Sequence, residues 1–267
     1  MVSLTPRLRE QRGRARRPFL AGVISRKGGG GKSVTSLCLA DGCSDAGLHT
    51  MLVDADPQAT LTAILLEGKA NRVTLGAYLR DLSIDPVSVA TPRSLLMSFV
   101  PGDHSTEQAV AELGIQACED RLGAVLVARS ATPDVAIIDT PGYLGAITDL
   151  TIAMADMLII PTRVGGQGDM SALGTTLERI ARGPHRSPAV VILPTNYAPR
   201  EASQAAGLAL VSAHYGAYLG TPIPHSAWIE RAANVGQSVM RYAPKSNAAS
   251  AYRTLIEQVV KLQGGGQ

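Results

Sequence analysis

The stretch with the clearest chemical potential is "SRKGGGGKSVTS", residues 25–36. It places two lysines, Lys27 and Lys32, on either side of four consecutive glycines, and Ser33 follows directly. Between a strand and a helix, such glycines let successive backbone N–H groups surround an anion at the positive end of the helix dipole. A lysine can then reach the β- and γ-phosphates of a nucleotide, while the serine hydroxyl joins the shell of a Mg²⁺ ion. The stretch therefore predicts a phosphate loop.

This loop departs from the general pattern G-x-x-x-x-G-K-[ST] at one position, because Arg26 stands where the first glycine is expected. Lys27 follows it directly, so the loop has either lost a glycine or exchanged it for an additional cation. A loose glycine linker is the alternative interpretation. The apolar run before the glycines and the helical pattern after them favour the phosphate loop.

Three aspartates follow predicted strands further along the chain. Asp54 and Asp56 occur in "LVDADPQAT", and Asp139 ends the apolar run of "VAIIDTPG". Carboxylates beside a phosphate loop can hold a metal-bound water or orient an attacking water. Taken singly, an Asp-Pro turn and a strand-ending aspartate are both ordinary features. Together with the loop, in this order, they predict a Mg²⁺-dependent ATP or GTP hydrolase.

Apolar runs and helical patterns alternate along the whole chain. This alternation predicts an α/β fold, a single-domain P-loop NTPase with a mostly parallel twisted sheet and helices on both faces. In such sheets ligands collect at the carboxyl ends of the strands. The predicted elements include strands over 19–25 and 49–54 and in "DVAIIDT", "MLIIPT" and "AVVILPT", and helices over 105–129 (as one long helix), 169–182, 200–215 and 247–262.

Charge is distributed unevenly, although the net charge is only +3. Residues 1–17 carry six arginines and one glutamate, residues 18–178 have a net charge of −8, and residues 179–261 one of +6. This distribution suggests an anionic partner for the C-terminal part and the tail. We expect a basic, disordered tail over 1–18, an ATPase domain over 19–262 and a flexible end over 263–267. The tail either binds nucleic acid or is only a solubilising extension, and a transit peptide is less favoured because the segment has few serines and no clear apolar face.

Composition also excludes several classes of protein. Three cysteines without a C-x-x-C pair argue against a disulfide framework and a zinc ribbon, and suit a reducing cytosol. The apolar runs are too short for a membrane span. Aromatic residues make up 4% of the chain, which leaves little material for stacking single-stranded bases.

The motifs "KGGGGKS", "DADPQ" and "IIDTPG" together resemble the ParA/MinD group of deviant Walker P-loop ATPases, and the DPQ form is most similar to ParA-type partition ATPases. The resemblance covers residues 19–262 and is looser toward the C-terminus. It implies that the first glycine is dispensable and that Lys27 is a signature lysine. This lysine would contact the partner subunit's phosphates in a nucleotide-sandwich dimer. The resemblance further implies that Asp56 positions the attacking water.

The same resemblance implies a full set of site residues. The implied metal-binding residues are Ser33, Asp54 and Asp139, and the implied catalytic residues are Lys27, Lys32 and Asp56. The residues implied to bind ATP are Gly28, Gly29, Gly30, Gly31, Lys32, Ser33, Val34 and Asn196. Asn196, in "ILPTNYAPR", is the candidate for base recognition, and capping of the following turn is the alternative. The resemblance favours ATP over GTP.

The implied partners are a second copy of the chain on ATP binding, nonspecific DNA of the nucleoid, and a ParB-like or other small DNA-binding adaptor. The implied location is cytoplasmic and nucleoid-associated, without stable membrane association. Candidate DNA contacts are Arg200, Arg231, Arg241, Lys245 and Arg253. The sequence departs from several partition ATPases here, with His225 and Trp228 in place of arginines and Arg231 in place of an acid. Trp228, the single tryptophan, is expected in the core.

Three alternatives use the same ATPase fold. A ParA-like positioner of another protein cargo fits every motif, because the cargo is determined mainly by the partner. A MinD-like membrane switch is less favoured, since "AYRTLIEQVVKLQGGGQ" lacks the basic and bulky apolar faces of a membrane-binding helix. An electron carrier of the nitrogenase-reductase type requires cluster-bridging cysteines, and Cys38, Cys43 and Cys118 form no apparent pair of that kind.

Overall fold

The computed structural model describes residues 17–66, 73–81, 83, 89–90, 96–127, 132–183 and 188–265. Its strands are β1 (Phe19–Val23), β2 (Thr50–Asp54), β3 (Val89–Ala90), β4 (Met97–Val100), β5 (Val135–Asp139), β6 (Met157–Thr162) and β7 (Ala189–Pro194). Its helices are α1 (Lys32–Asp45), α2 (Thr60–Leu65), α3 (Leu75–Arg80), α4 (Ser105–Leu113), α5 (Ile115–Val127), α6 (Ala146–Met154), α7 (Gln167–Ala181), α8 (Ala202–Tyr215), α9 (Ala227–Asn234), α10 (Val239–Tyr242) and α11 (Asn247–Gly265), with a short 3₁₀ turn at Gly216–Tyr218.

The strands form one sheet in the order β3-β4-β2-β5-β1-β6-β7. Every neighbouring pair is parallel except the short edge strand β3, which runs antiparallel to β4. Strand β1 therefore lies between β5 and β6, and its carboxyl end leads into the loop that precedes α1. This topology confirms the predicted P-loop NTPase fold and places the sequence motifs at one edge of the sheet.

Both faces of the sheet are covered, which explains why its strands are continuous apolar runs. On one face Leu20, Met51 and Ile138 pack with the helices α3 to α8. On the other face Ala21, Leu52 and their neighbours pack with α1, α9, α10 and α11. Because side chains alternate along a strand, adjacent residues such as Leu20 and Ala21 belong to different halves of the core.

Close packing of α1 against α11 depends on Gly42. A Cβ atom at this position would lie 2.1 Å from Cδ1 of Ile256. The two helices thus approach at a distance that a side chain would prevent, and α11 is held against the helix that starts at the phosphate loop. The C-terminal part of the chain is in this way directly packed on the nucleotide-proximal helix.

Two predicted features are wrong. The single helix over 105–129 is divided into α4 and α5 by Gly114, whose φ of 79° closes α4 with a bond from its N–H to the Val110 carbonyl. Trp228 is not in the core, because it lies on the outer side of α9 and is 45% exposed.

The ends of the chain can be described only in part. The predicted tail lies outside the described residues up to position 16, and Arg17 forms an ion pair with Asp156 beside β1. Helix α11 continues to Gly265, past the expected domain end at residue 262. In the described part of the chain, no helix combines the length and apolar character that crossing a bilayer requires.

Candidate active site

The phosphate loop joins the carboxyl end of β1 to the first turn of α1. Gly29 and Gly31 have φ values of 72° and 87°, a left-handed conformation that favours glycine. No side chain caps the N-terminus of α1 at Gly31. The first N–H groups of a helix have no intrahelical partner and carry the positive end of its dipole, so this geometry suits an anion.

The loop is enclosed from two sides. Gly142, in the segment after β5, lies so close that a Cβ atom there would be 3.1 Å from Cα of Gly28 and 3.4 Å from Nζ of Lys32. On the β7 side, the Thr195 hydroxyl donates to the Gly30 carbonyl at 2.9 Å. The ends of β5 and β7 therefore both fix the position of the loop.

Lys32 is buried within this enclosure, with its ammonium group 3.5 Å from the Lys27 carbonyl oxygen. Burial lowers the pKa of Lys32, and the carboxylates of Asp139 and Asp56 partly oppose that shift. The side chain is thus a cation confined at the centre of the loop, with two carboxylates nearby.

Asp54 and Asp139 are register partners at the ends of β2 and β5, and both are fully buried. Asp54 Oδ2 accepts from the Thr62 backbone N–H at 2.8 Å and from the Thr62 hydroxyl at 2.7 Å. Asp139 Oδ1 accepts from the Ser36 hydroxyl at 2.9 Å, while its Oδ2 is buried without a hydrogen-bond partner among the described residues. One carboxylate is thus held in place, and the other presents an unused oxygen.

The pKa values of both carboxyl groups are raised. Burial raises the pKa of Asp54 to about 6 against the hydrogen bonds from Thr62. Burial and the neighbouring Asp54 raise the pKa of Asp139 to about 7, although the hydroxyls of Ser33 and Ser36 and the charge of Lys32 oppose this. Two buried carboxylates side by side, one with an unpartnered oxygen, are the electrostatic arrangement that a divalent cation relieves.

Asp56 lies at the rim of this arrangement and is half-buried. Its Oδ1 accepts from the Gln58 N–H at 2.9 Å, so the Asp-Pro turn expected as the ordinary interpretation is also present. The turn continues into Ala59, whose φ of 51° is unusual for a residue other than glycine. A turn of this kind fixes the Asp56 carboxylate two residues beyond β2. The carboxylate is close enough there to raise the pKa of Lys32.

The side chain of Lys27 reaches Asp169 in the first turn of α7. Its ammonium group lies 2.5 Å from Oδ1 of Asp169, and the Lys27 side chain is 53% exposed while that of Asp169 is 10% exposed. The two residues line a cleft of about 120 Å³ on the outer side of the loop, together with Pro161 and Arg163. In the isolated chain the predicted signature lysine is therefore engaged by a carboxylate of its own subunit.

Asn196 directly follows Thr195 and has a φ of 53°. Its Oδ1 lies 2.6 Å from Nδ1 of His225. Sequence reasoning did not assign a role to His225 or Asp169, nor to Thr62. Each of them contacts a site residue through tertiary structure, and no local pattern in the sequence signals such contacts.

The candidate DNA contacts differ in their surroundings. Arg241 forms ion pairs at 3.0 Å with the buried Asp41 and at 3.2 Å with Asp45, so it joins α10 to α1. Arg231 lies over the ring of Trp228 at 5.1 Å, and Arg253 donates to the Pro244 carbonyl. The side chains of two others, Arg200 and Lys245, are exposed. Arg241 therefore differs from a free surface cation, because its guanidinium group already pairs with two carboxylates of α1.

Residues 20–183 match a protein family described as an AAA domain, which covers more than half of the chain. The chain belongs to the ParA-type deviant Walker P-loop ATPases. It is 29% identical to the chromosome-partitioning ATPase Soj of Thermus thermophilus over 257 residues, which is 93% of this chain and 97% of Soj. The predicted family is therefore confirmed, and this ParA-type protein is an ATP hydrolase.

Solved structures agree with this assignment of the fold. Apo McdA from Cyanothece has a TM-score of 0.78 at 21% identity, covering 91% of this chain and 99% of McdA. Cobyrinic acid a,c-diamide synthase from Mycobacterium smegmatis, with a bound ATP analog and magnesium, has a TM-score of 0.72 at 25% identity and covers 94% of this chain and 97% of the synthase.

Proposed function

We propose that this chain is a partition-type ATPase that dimerises with Mg-ATP, binds DNA without sequence preference and releases it after hydrolysis stimulated by a ParB-like partner. The observation that carries the nucleotide part is the juxtaposition of the uncapped phosphate loop with two buried carboxylates, one of which has an unpartnered oxygen. The synthase that resembles this chain holds an ATP analog with magnesium, which supports the same cofactors here.

The residues fit a magnesium nucleotide. Backbone N–H groups of Gly28 to Val34 would surround the phosphates, and Lys32 would neutralise the β- and γ-phosphates. Ser33, Asp54 and Asp139 would hold the Mg²⁺ shell, directly or through water. The metal, when bound, spreads the negative charge that develops on the phosphate oxygens. The raised pKa values of Asp54 and Asp139 support this assignment, since a cation would favour their charged forms.

Hydrolysis requires an oriented water and an additional cation. Asp56, held by its turn at the rim of the site, orients the attacking water toward the γ-phosphate. Lys27 leaves Asp169 and contacts the phosphates of the partner subunit, where it stabilises the charge of the transition state in the manner of an arginine finger. Dimerisation and hydrolysis thus depend on the same lysine.

DNA binding follows from the joined C-terminal surfaces of two subunits. Arg200, Arg231, Lys245 and Arg253 remain as phosphate contacts, whereas Arg241 is assigned to the ion pairs between α10 and α1. Each phosphate contact releases counterions, so affinity should fall steeply with salt. The expected location is the cytoplasm, in association with the nucleoid. A protein cargo other than a centromere complex would use the same ATP-dependent DNA-binding cycle with a different adaptor protein.

The test is binding to a nonspecific DNA duplex with ATP, with ADP and without nucleotide, over a salt series. Binding that requires ATP supports the proposal. Lys245→Ala should then reduce the slope of log affinity against log salt concentration by about one for each subunit that contacts the DNA. Arg80→Ala is the matched control, because Arg80 is on the opposite face of the sheet and pairs with Glu112. Binding of equal strength with and without nucleotide would indicate that the basic tail binds the DNA, and would contradict the proposal. Absence of binding would contradict it as well.

A further inference from the structure

An unusual pair of side chains lies at the carboxyl end of β7. Asn196 adopts a left-handed backbone conformation, with a φ of 53°, that residues other than glycine rarely adopt. The Nδ1 atom of His225 lies 2.6 Å from its Oδ1 atom. Asparagine tolerates this conformation better than other non-glycine residues, so the contact with His225, rather than backbone strain, is the feature that points to a role.

The backbone conformation of Asn196 is held by the pairing of the next residue, Tyr197. The Tyr197 N–H donates to the Ile223 carbonyl at 3.0 Å, and the His225 N–H donates to the Tyr197 carbonyl at 2.9 Å. The segment after β7 and the segment before α9 therefore run parallel and present Asn196 and His225 side by side. The contact between the two side chains is thus a product of the fold rather than of a chance surface rotamer.

The pair is attached to the phosphate loop through one residue. Thr195 donates its hydroxyl to the Gly30 carbonyl at 2.9 Å, and its N–H donates to the Thr162 carbonyl at 2.8 Å. A Cβ atom on Gly31 would lie 3.8 Å from Cγ2 of Thr195. A nucleotide whose phosphates occupy the loop would therefore extend its ribose and base into the region of the strand ends that includes Asn196.

The contact determines which groups the amide can offer. With Asn196 Oδ1 facing Nδ1, the carboxamide oxygen accepts, and the tautomer of His225 that carries its proton on Nδ1 donates. The amino group of Asn196 is then turned away from the imidazole with two hydrogens to donate. Rotation of the amide by half a turn would bring its amino group to Nδ1 and would require the other imidazole tautomer, so the orientation of the Asn196 amide is coupled to the protonation of His225.

We infer that His225 is a positioning residue for base recognition, which fixes the Asn196 amide so that its amino group donates to a ring-nitrogen acceptor of a purine. The inference rests on the proposed function, because it requires ATP phosphates in the loop. It adds a residue outside the phosphate-loop and aspartate motifs. His225 acts through Asn196 and does not itself contact the base.

Steady-state ATP hydrolysis by His225→Ala tests this inference. Because loss of one hydrogen bond corresponds to about a fivefold change, KM for ATP should rise about fivefold while kcat stays within twofold. Inhibition by inorganic tripolyphosphate, which lacks a base, should be unchanged. His225→Gln, which retains a donor, should restore part of the KM. The matched control is His214→Ala, since His214 is also exposed and bonds only to the Leu210 carbonyl of its own helix among the described residues.

A double-mutant cycle with Asn196→Ala separates positioning from a structural effect. If His225 acts through Asn196, His225→Ala should add nothing to the KM of the Asn196→Ala variant. Equal effects of His225→Ala in both backgrounds, or a matching loss of tripolyphosphate inhibition, would overturn the inference. An Asn196→Ala variant with wild-type KM would overturn it too. Failure of the proposed function appears separately, as absence of ATP turnover by the wild-type protein.

Discussion

Asp139→Asn should stabilise the nucleotide-free protein, although it removes a predicted metal ligand. Asp139 is fully buried next to Asp54, and its Oδ2 has no hydrogen-bond partner among the described residues. An asparagine of the same shape can still accept from the Ser36 hydroxyl and carries no charge. The change therefore tests whether this carboxylate is kept for a cation rather than for folding.

The magnitude follows from proton linkage. An aspartate in an unfolded chain titrates near pH 4, whereas in the folded protein burial and the Asp54 carboxylate raise the pKa of Asp139 to about 7. The folded state binds this proton more tightly, so the free energy of unfolding falls as the pH rises from about 4 to about 7 and then stays level. At about 1.4 kcal/mol per pH unit, ionised Asp139 costs roughly 4 kcal/mol at pH 8. About 1 kcal/mol of that loss falls between pH 6 and pH 8.

Urea unfolding at pH 6 and pH 8 without nucleotide measures this effect. The variant should have a higher unfolding midpoint at pH 8, by on the order of 1 M urea, and should lose less stability than the wild type between the two pH values. Asp120→Asn, at an exposed aspartate on α5, is the control and should change neither quantity. Parallel pH profiles of Asp139→Asn and the wild type would refute the reasoning, because the carboxylate would then be satisfied without a metal.

Two further substitutions separate the roles of the predicted catalytic residues. Lys27→Ala should abolish ATP-dependent dimerisation and turnover. The free energy of unfolding of the monomer should change by no more than about 2 kcal/mol, because Lys27 is half-exposed and Asp169, in the first turn of α7, keeps the favourable field of the helix dipole. Wild-type turnover would remove the signature-lysine assignment. Asp56→Ala should still dimerise with ATP, as seen by light scattering, but should hydrolyse it at least 100-fold more slowly. Undiminished hydrolysis would assign the water-orienting role to another residue.

The sequence was sufficient for the fold and for the local parts of the site. The glycine run between β1 and α1, and the aspartates that end β2 and β5, are motifs in which neighbouring residues determine each other's position. Their meeting at one sheet edge follows from parallel strand order, because carboxyl ends of parallel strands lie on the same side. Asp54 and Asp139 are accordingly adjacent in the sheet register.

Contacts between distant segments could not be predicted in this way. The bond between Lys27 and Asp169 joins residues 142 positions apart, and the bond between Asn196 and His225 joins residues of two separate loops. The helical spacing of apolar residues over 105–129 continues through Gly114, so this spacing does not indicate that α4 ends there. Trp228 is exposed because α9 is short and buries only Ala232, a property of packing rather than of residue type.

The nucleotide-free chain holds two electrostatic features that ATP would resolve together. Beside the loop, Asp54 and Asp139 are buried with raised pKa values, and a bound cation would favour their charged forms. Outside it, Lys27 pairs with Asp169, a carboxylate that the proposed function requires it to exchange for a phosphate of the partner subunit. A ligand shifts a conformational equilibrium only by its different affinity for the two states. Under the proposed function, Mg-ATP would supply this difference in two ways, through the metal within one subunit and through the γ-phosphate between subunits. Loss of the γ-phosphate would return Lys27 to Asp169, which gives the dimer a defined route to dissociation after hydrolysis.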